Sequence, residues 1–152
     1  MRLSPHIQPE LVLIAPDAPD RRSLFDLFGL AFKQAGVVRE SDEVVSRLLE
    51  REAILSTGIG QGVAVPHAQV TGLGRLVMAA STHPQGLVYP ALDEQPVRLV
   101  FCLIGDNSTA ADHLAGLARL ARIARRDDTL EQLVSTSSGD EFIAALARLE
   151  GE

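Results

Sequence analysis

The side chains best suited to act as nucleophiles or metal ligands near neutral pH are few: His6, His67, His83, His113 and Cys102. His67 has the most suggestive setting. An imidazole near its reference pKa of about 6.5 is largely neutral at pH 7 and keeps a nitrogen lone pair, suited to a nucleophile, a base or a ligand. It follows Pro66, and upstream lie the alternating glycines Gly58, Gly60 and Gly62. Proline cannot donate within a central ladder, so the apolar run before it reads as a short strand ending near His67, with the ring at a rim. Bare glycine backbone would let a phosphate or a partner approach closely. A second reading fits equally well: a hairpin whose glycines supply positive φ, followed by an ordinary surface histidine.

Two other residues could serve an anion. His113 falls in the first turn of a predicted helix, where unpaired N–H groups and the helix dipole favour negative charge. Arg51 ends another predicted helix five residues before the glycine segment and could neutralise a phosphoryl group. Each also reads as a solvated surface residue. His6 reads as part of a frayed terminus and His83 as part of a Ser-Thr-His-Pro turn. Cys102, between Phe101 and Leu103, reads as core. No Gly-Lys-Ser/Thr follows the glycines, so this is not a Walker A loop, and it is not GxGxxG. His67, His113 and Asp112 have no recognised zinc spacing, and GxSxG is missing.

The elements that must position these residues follow from periodicity. Residues 10–15 read as a strand, broken by the Pro and Asp cluster at 16–20. Apolar spacing over 21–35 with Gly36 behind it predicts an amphipathic helix. A second helix is expected from Ser41 as N-cap, with Asp42 and Glu43 in its first turn, to near Ile54. Residues 75–81 and 97–104 read as strands, the second central because it is nearly all apolar. Helices are expected at 109–125, 128–135 and 139–150, the last with a Ser138/Glu141 capping box. Helices around a strand-rich middle predict a layered α/β domain with a mixed sheet.

Composition sets the class. With 152 residues, 46% apolar and 22% charged, the chain is expected to form a single domain over 1–152. The formal charge of −6 opposes non-specific binding to nucleic acid or an anionic membrane. No apolar run approaches the ~20 residues of a bilayer span, and the N-terminus lacks a signal-peptide core. One cysteine suits a reducing compartment, so a cytoplasmic protein without membrane insertion is expected.

The stretch Arg51-Glu52, then Ser56-Thr57-Gly58-Ile59-Gly60-Gln61-Gly62-Val63-Ala64-Val65-Pro66-His67, closely resembles the active-site signature of the enzyme IIA family of the sugar phosphotransferase system. It is most similar to the fructose-, mannitol- and nitrogen-related branch (EIIA type 2). His113-Leu114, with Leu117 and Ala118, resembles that family's second histidine motif. The resemblance spans roughly residues 10–150. It implies a three-layer α/β/α domain with a mixed parallel/antiparallel sheet. It implies that His67 is phosphorylated by HPr or an HPr-like carrier and that His113 and Arg51 stabilise the phosphoryl group, with no cofactor, nucleotide or metal. The phosphate would pass to an enzyme IIB on another chain, as in sugar transport of the fructose type. Alternatively, phosphorylation would control binding to regulatory targets, as in the nitrogen-related members. The chain departs from the family in Ala68-Gln69-Val70, where a basic residue often follows the histidine, and in Arg21-Arg22, which replaces a Lys-containing turn.

Overall fold

The structure, a computed structural model, describes residues 1–151. A 3₁₀ turn at Ser4–His6 leads into β1 (Ile7–Ile14), followed by α1 (Arg21–Gln34) and α2 (Ser41–Ile54). Three short strands come next, β2 (Gly58–Gly60), β3 (Val63–Ala64) and β4 (His67–Gln69), then the long β5 (Val77–Leu87) and β6 (Val97–Gly105). A 3₁₀ turn at Asn107–Thr109 opens α3 (Ala110–Ala124), and α4 (Thr129–Val134) and α5 (Gly139–Gly151) complete the described chain.

The sheet is mixed, in the order β1-β5-β6-β3-β2, with β4 also on β6. β6 is central, as its apolar run predicts: β5 lies antiparallel on one side, and β3 and β4 lie parallel on the other. Its side chains alternate between two cores. Val100, Cys102 and Ile104 join Phe25, Phe28 and Phe32 of α1 and Val44, Val45 and Leu48 of α2. Leu99, Phe101 and Leu103 join Leu120, Ile123, Leu133, Phe142 and Leu146 from α3, α4 and α5. Three layers, helix on sheet on helix, result. Among the described residues no helix is long and apolar enough to cross a membrane.

Several expectations are corrected. The strand before His67 does not end there. β3 pairs Val63 with Leu99 and Ala64 with Val100, and β4 pairs His67 with Leu103, so both keep one register on β6. Only Val65-Pro66 interrupts it. Pro66 has no N–H to give, but its carbonyl still accepts from Leu103 N–H at 3.0 Å. His6 does not fray: its Nδ1–H donates to the Leu76 carbonyl at 3.2 Å. The N–H groups of Leu3 and Ser4 bond to the Glu150 carboxylate of α5 at 2.6 and 2.9 Å. His83 is not in a turn, because β5 continues through Pro84 to Leu87, where the pairing with β6 shifts register. Such irregularities are where a sheet tolerates proline. Ser41 is the first helical residue of α2 rather than its cap, and Glu40, at the cap, makes no side-chain capping bond. The capping box of α5 forms by half: Ser138 Oγ accepts from Glu141 N–H, while the Glu141 carboxylate reaches back to Ser137.

Candidate functional site

β4 and β6 run parallel, with His67 opposite Leu103 and Gln69 opposite Gly105, so His67 lies two residues short of the carboxyl end they share. In layered α/β proteins, ligands sit beyond the carboxyl ends of such strands. The turn after β6 is set by Asp106, whose side chain accepts from Ser108 N–H at 2.9 Å, with the Thr109 hydroxyl accepting in return from Asp106 N–H at 3.0 Å. That capping box starts the helical chain at once. Gly105 lets it fold back tightly, since a Cβ there would collide with the Thr109 hydroxyl. The first turn of α3 thereby carries His113 to His67. Their ring centroids are 5.2 Å apart and the rings meet edge to face at 68°.

The His67 ring is fixed by its own backbone. Nδ1 lies 2.8 Å from the Val65 carbonyl oxygen, which can only accept, so Nδ1 carries the proton and Nε2 keeps the lone pair. Partial burial is the main cause that holds the His67 pKa below the ordinary imidazole value. The Val65 bond opposes this, the Arg51 charge adds to it, and the Glu52 charge opposes it. His113 is buried, and neither ring nitrogen has a hydrogen-bond partner among the described residues. Its pKa is pushed down to about 4 by burial and then by His67, so both rings are neutral at pH 7.

Together they line an open cleft of about 1020 Å³, which Arg47, Glu50, Arg51, Ile54, Gln69 and Asp106 also border. Arg51 projects from the last turn of α2, where Nη1 donates to the Leu55 carbonyl at 2.9 Å. All three residues singled out in the sequence thus meet at one cleft. The chemistry available there is a neutral imidazole lone pair, a guanidinium, an unpartnered second imidazole and the start of a 15-residue helix. That set suits a nucleophile whose product carries negative charge.

The glycine segment does something else. Gly60, Gln61 and Gly62 have positive φ and turn β2 back onto β3, while Gly58 packs against Pro90 and Ala91. None of these glycines lines the cleft, so the hairpin reading holds for them. Sequence reasoning gave no role to Glu52, Thr57, Tyr89 or Asp106. Asp106 was signalled by its Asp-x-Ser-Thr cap pattern after an apolar strand. Tyr89 had no local signal. Cys102 is fully buried, and burial raises its thiol pKa further, consistent with a core role.

Residues 5–149 match the family described as "Phosphoenolpyruvate-dependent sugar phosphotransferase system, EIIA 2". The chain belongs to this family of phosphotransferase-system components. It is 30% identical over 148 residues to a "Nitrogen regulatory protein" of Bradyrhizobium diazoefficiens, covering 97% of this chain and 95% of that one. It is 31% identical over 134 residues to the "PTS system fructose-specific EIIA component" of Haloferax volcanii, covering 88% and 86%. Against the longer "PTS system fructose-specific EIIABC component" of Bacillus subtilis, 27% identical over 143 residues, it covers 94% of itself but 22% of the relative. The crystal structure of nitrogen regulatory protein IIA-Ntr from Neisseria meningitidis superposes with a TM-score of 0.87 at 27% identity, covering 95% of this chain and 98% of that one. The fold likeness extends to the Escherichia coli enzyme IIAMTL, solved in complex with phosphorylated enzyme IIBMTL. Here the TM-score is 0.75 at 21% identity, with 93% and 99% covered. The relatives divide between sugar-transport and nitrogen-regulatory names.

Proposed function

We propose that this chain is a cytoplasmic phosphocarrier that accepts a phosphoryl group on His67 Nε2 from a phosphohistidine of HPr or an HPr-like protein. The carrying observation is the Val65 carbonyl bond to Nδ1–H, which leaves Nε2 as the free nucleophile on a ring lining the cleft. As Nε2 attacks phosphorus, the donor's N–P bond breaks and its electron pair returns to the donor ring. Each ring keeps the proton on its other nitrogen, so no net proton moves. Such a transfer needs positioning and charge stabilisation more than covalent assistance. Arg51 and an N–H of His113 supply the charge-assisted donors.

A protein donor also needs a docking face. Ile54 and Leu114 border the cleft and are 80% and 71% exposed, apolar area that a partner would cover. Incubation with phosphoenolpyruvate, enzyme I and the HPr-type carrier should add one acid-labile phosphate to the wild type and none to His67→Ala. Label persisting on His67→Ala would overturn the site.

The onward acceptor is read as the cysteine of an enzyme IIB on another chain, as in fructose-type sugar transport. A second reading, control of target proteins by phosphorylation state, is favoured by the nitrogen regulatory relative and the IIA-Ntr structure. Discharge of phosphate onto a IIB protein supports the first. Stoichiometric target binding that depends on phosphorylation, with no IIB acceptor, supports the second.

A further inference from the structure

A buried carboxylate near the site belongs to a residue that the phosphocarrier reading leaves idle. Glu52 sits on α2 next to Arg51, and its side chain is only 1% exposed. A carboxylate so far from water persists only with donors around it. Four surround this one: Arg21 Nη1 at 3.2 Å, Thr57 N–H at 3.1 Å, the Thr57 hydroxyl and the Tyr89 hydroxyl. Burial, followed by the Glu52 charge, pushes the Tyr89 phenol pKa upward, so the tyrosine stays a protonated donor.

These bonds continue to the nucleophile. The Thr57 carbonyl accepts from Val65 N–H at 3.0 Å, and the Val65 carbonyl accepts from His67 Nδ1–H at 2.8 Å. A hydrogen-bonded path therefore runs Glu52, Thr57, Val65, His67, each link aligned donor to acceptor. Arg51 is tied to the same segment, because its Nη1 donates to the Leu55 carbonyl, two residues before Thr57. Successive residues on a helix point about 100° apart, so α2 turns Glu52 inward and Arg51 outward within one step.

We propose that Glu52 is a positioning residue of the His67 site, holding the 55–57 segment so that the Val65 carbonyl fixes the His67 tautomer and Arg51 stays at the cleft. The carboxylate charge also acts on the His67 ring through space, opposing that of Arg51. This inference rests on the reading of His67 as phosphate acceptor, but its electrostatic part does not need phosphate. The charged and titratable groups facing His67 are Arg51 and Glu52 from α2 and His113 from α3. Arg47, Glu50 and Asp106 border the same cleft. Removing Glu52's charge leaves the Arg51 charge less opposed.

The test compares Glu52→Gln with Thr57→Val in the intact chain, following the His67 ring by NMR titration and phosphate gain from the HPr-type carrier. Glu52→Gln should titrate His67 at lower pH than wild type and slow phosphate gain roughly tenfold at saturating donor, with KM little changed. Thr57→Val loses a hydroxyl but keeps its N–H and carbonyl in the path, so it should lower thermal stability and leave the His67 titration in place. Should Glu52→Gln not fold, Glu52→Asp keeps the charge but withdraws it from Thr57 N–H, and the same tenfold slowing is expected. Wild-type titration and rate in a folded Glu52→Gln, or a wild-type rate in Glu52→Asp, would overturn the inference. A wild type that takes no phosphate would instead sink the phosphocarrier reading, while the titration still reports on the path.

Discussion

His113 and His83 are buried to nearly the same degree, 7% and 5% exposed, and each has its pKa pushed down to about 4 by burial. Their partners differ. His83, within β5, shares a 2.7 Å hydrogen bond with Ser81 two residues away on the same face of the strand. His113 sits against His67 at the mouth of the cleft with neither nitrogen engaged among the described residues. Leaving a buried polar group unpaired costs stability, so a native structure that does so calls for an explanation. For His83 the imidazole is a satisfied part of the fold. For His113 the missing partner is supplied, on the present reading, by the phosphoryl group on His67. Burial and perturbed pKa values are shared by both histidines; hydrogen-bond satisfaction and the contact with His67 separate them.

The strongest attempt to break this contrast is a pair of alanine substitutions. His113→Ala should slow phosphate gain on His67 roughly 10²-fold, the scale for losing one preorganised donor to developing charge. Its thermal stability should fall less than that of His83→Ala, because packing is lost but no hydrogen bond. His83→Ala should do the reverse. It leaves a cavity and an unpaired Ser81 hydroxyl, for about 2–4 kcal/mol of lost stability in denaturant titration, with the phosphorylation rate of the folded protein unchanged. Equal slowing by both variants would erase the distinction.

The docking rim gives a smaller effect of another kind. Leu114→Glu keeps His113 in place but puts a charge on the apolar border of the cleft. It should raise KM for the HPr-type donor several-fold while kcat holds, measured by initial rates against donor concentration.

Two pH measurements sharpen the comparison. For His83 and His113 the folded pKa lies below the unfolded value of about 6.5, so between these values the unfolded chain binds more protons. Their stability contribution is complete above about pH 6.5 and is lost as pH falls through about 4. The midpoint of urea unfolding should drop over that window, and less so in His83→Asn. On phosphorylation of His67 the adjacent negative charge should raise the His113 titration and leave that of His83 where it was. The lowered pKa of His67 itself keeps Nε2 unprotonated into mildly acidic solution. The acid limb of the phosphorylation rate should therefore fall below the ordinary imidazole range.

Much of this was legible from residue order. The apolar run 97–104 reads as a central strand covered on both faces, and the amphipathic spacing of 21–35 and 41–54 reads as helices on a core, as the structure has them. The Arg51-to-His67 signature and the spacing to His113 carried the family, and with it the expectation that three distant residues converge. The proline rules were less dependable. Pro66 reads as closing a strand near His67 and Ser-Thr-His-Pro as a turn, yet β5 continues through Pro84 and the pairing with β6 resumes at His67 in the same register, because a missing N–H interrupts one bond without forbidding the register on either side.

What residue order determined by itself was local: which segments repeat at 3.6 or 2 residues, where they break, and which side chains have a lone pair or charge to offer. Tertiary structure alone decided which of those side chains lost water and what they gained in exchange. Glu52 and Tyr89 are 37 positions apart, and neither carries a mark of burial in its neighbours; only packing α2 against the sheet brings them together. The same holds for His83 and His113. Desolvation and hydrogen-bond satisfaction depend on atoms far away in the chain, so they arise with the fold and are absent from any window of sequence.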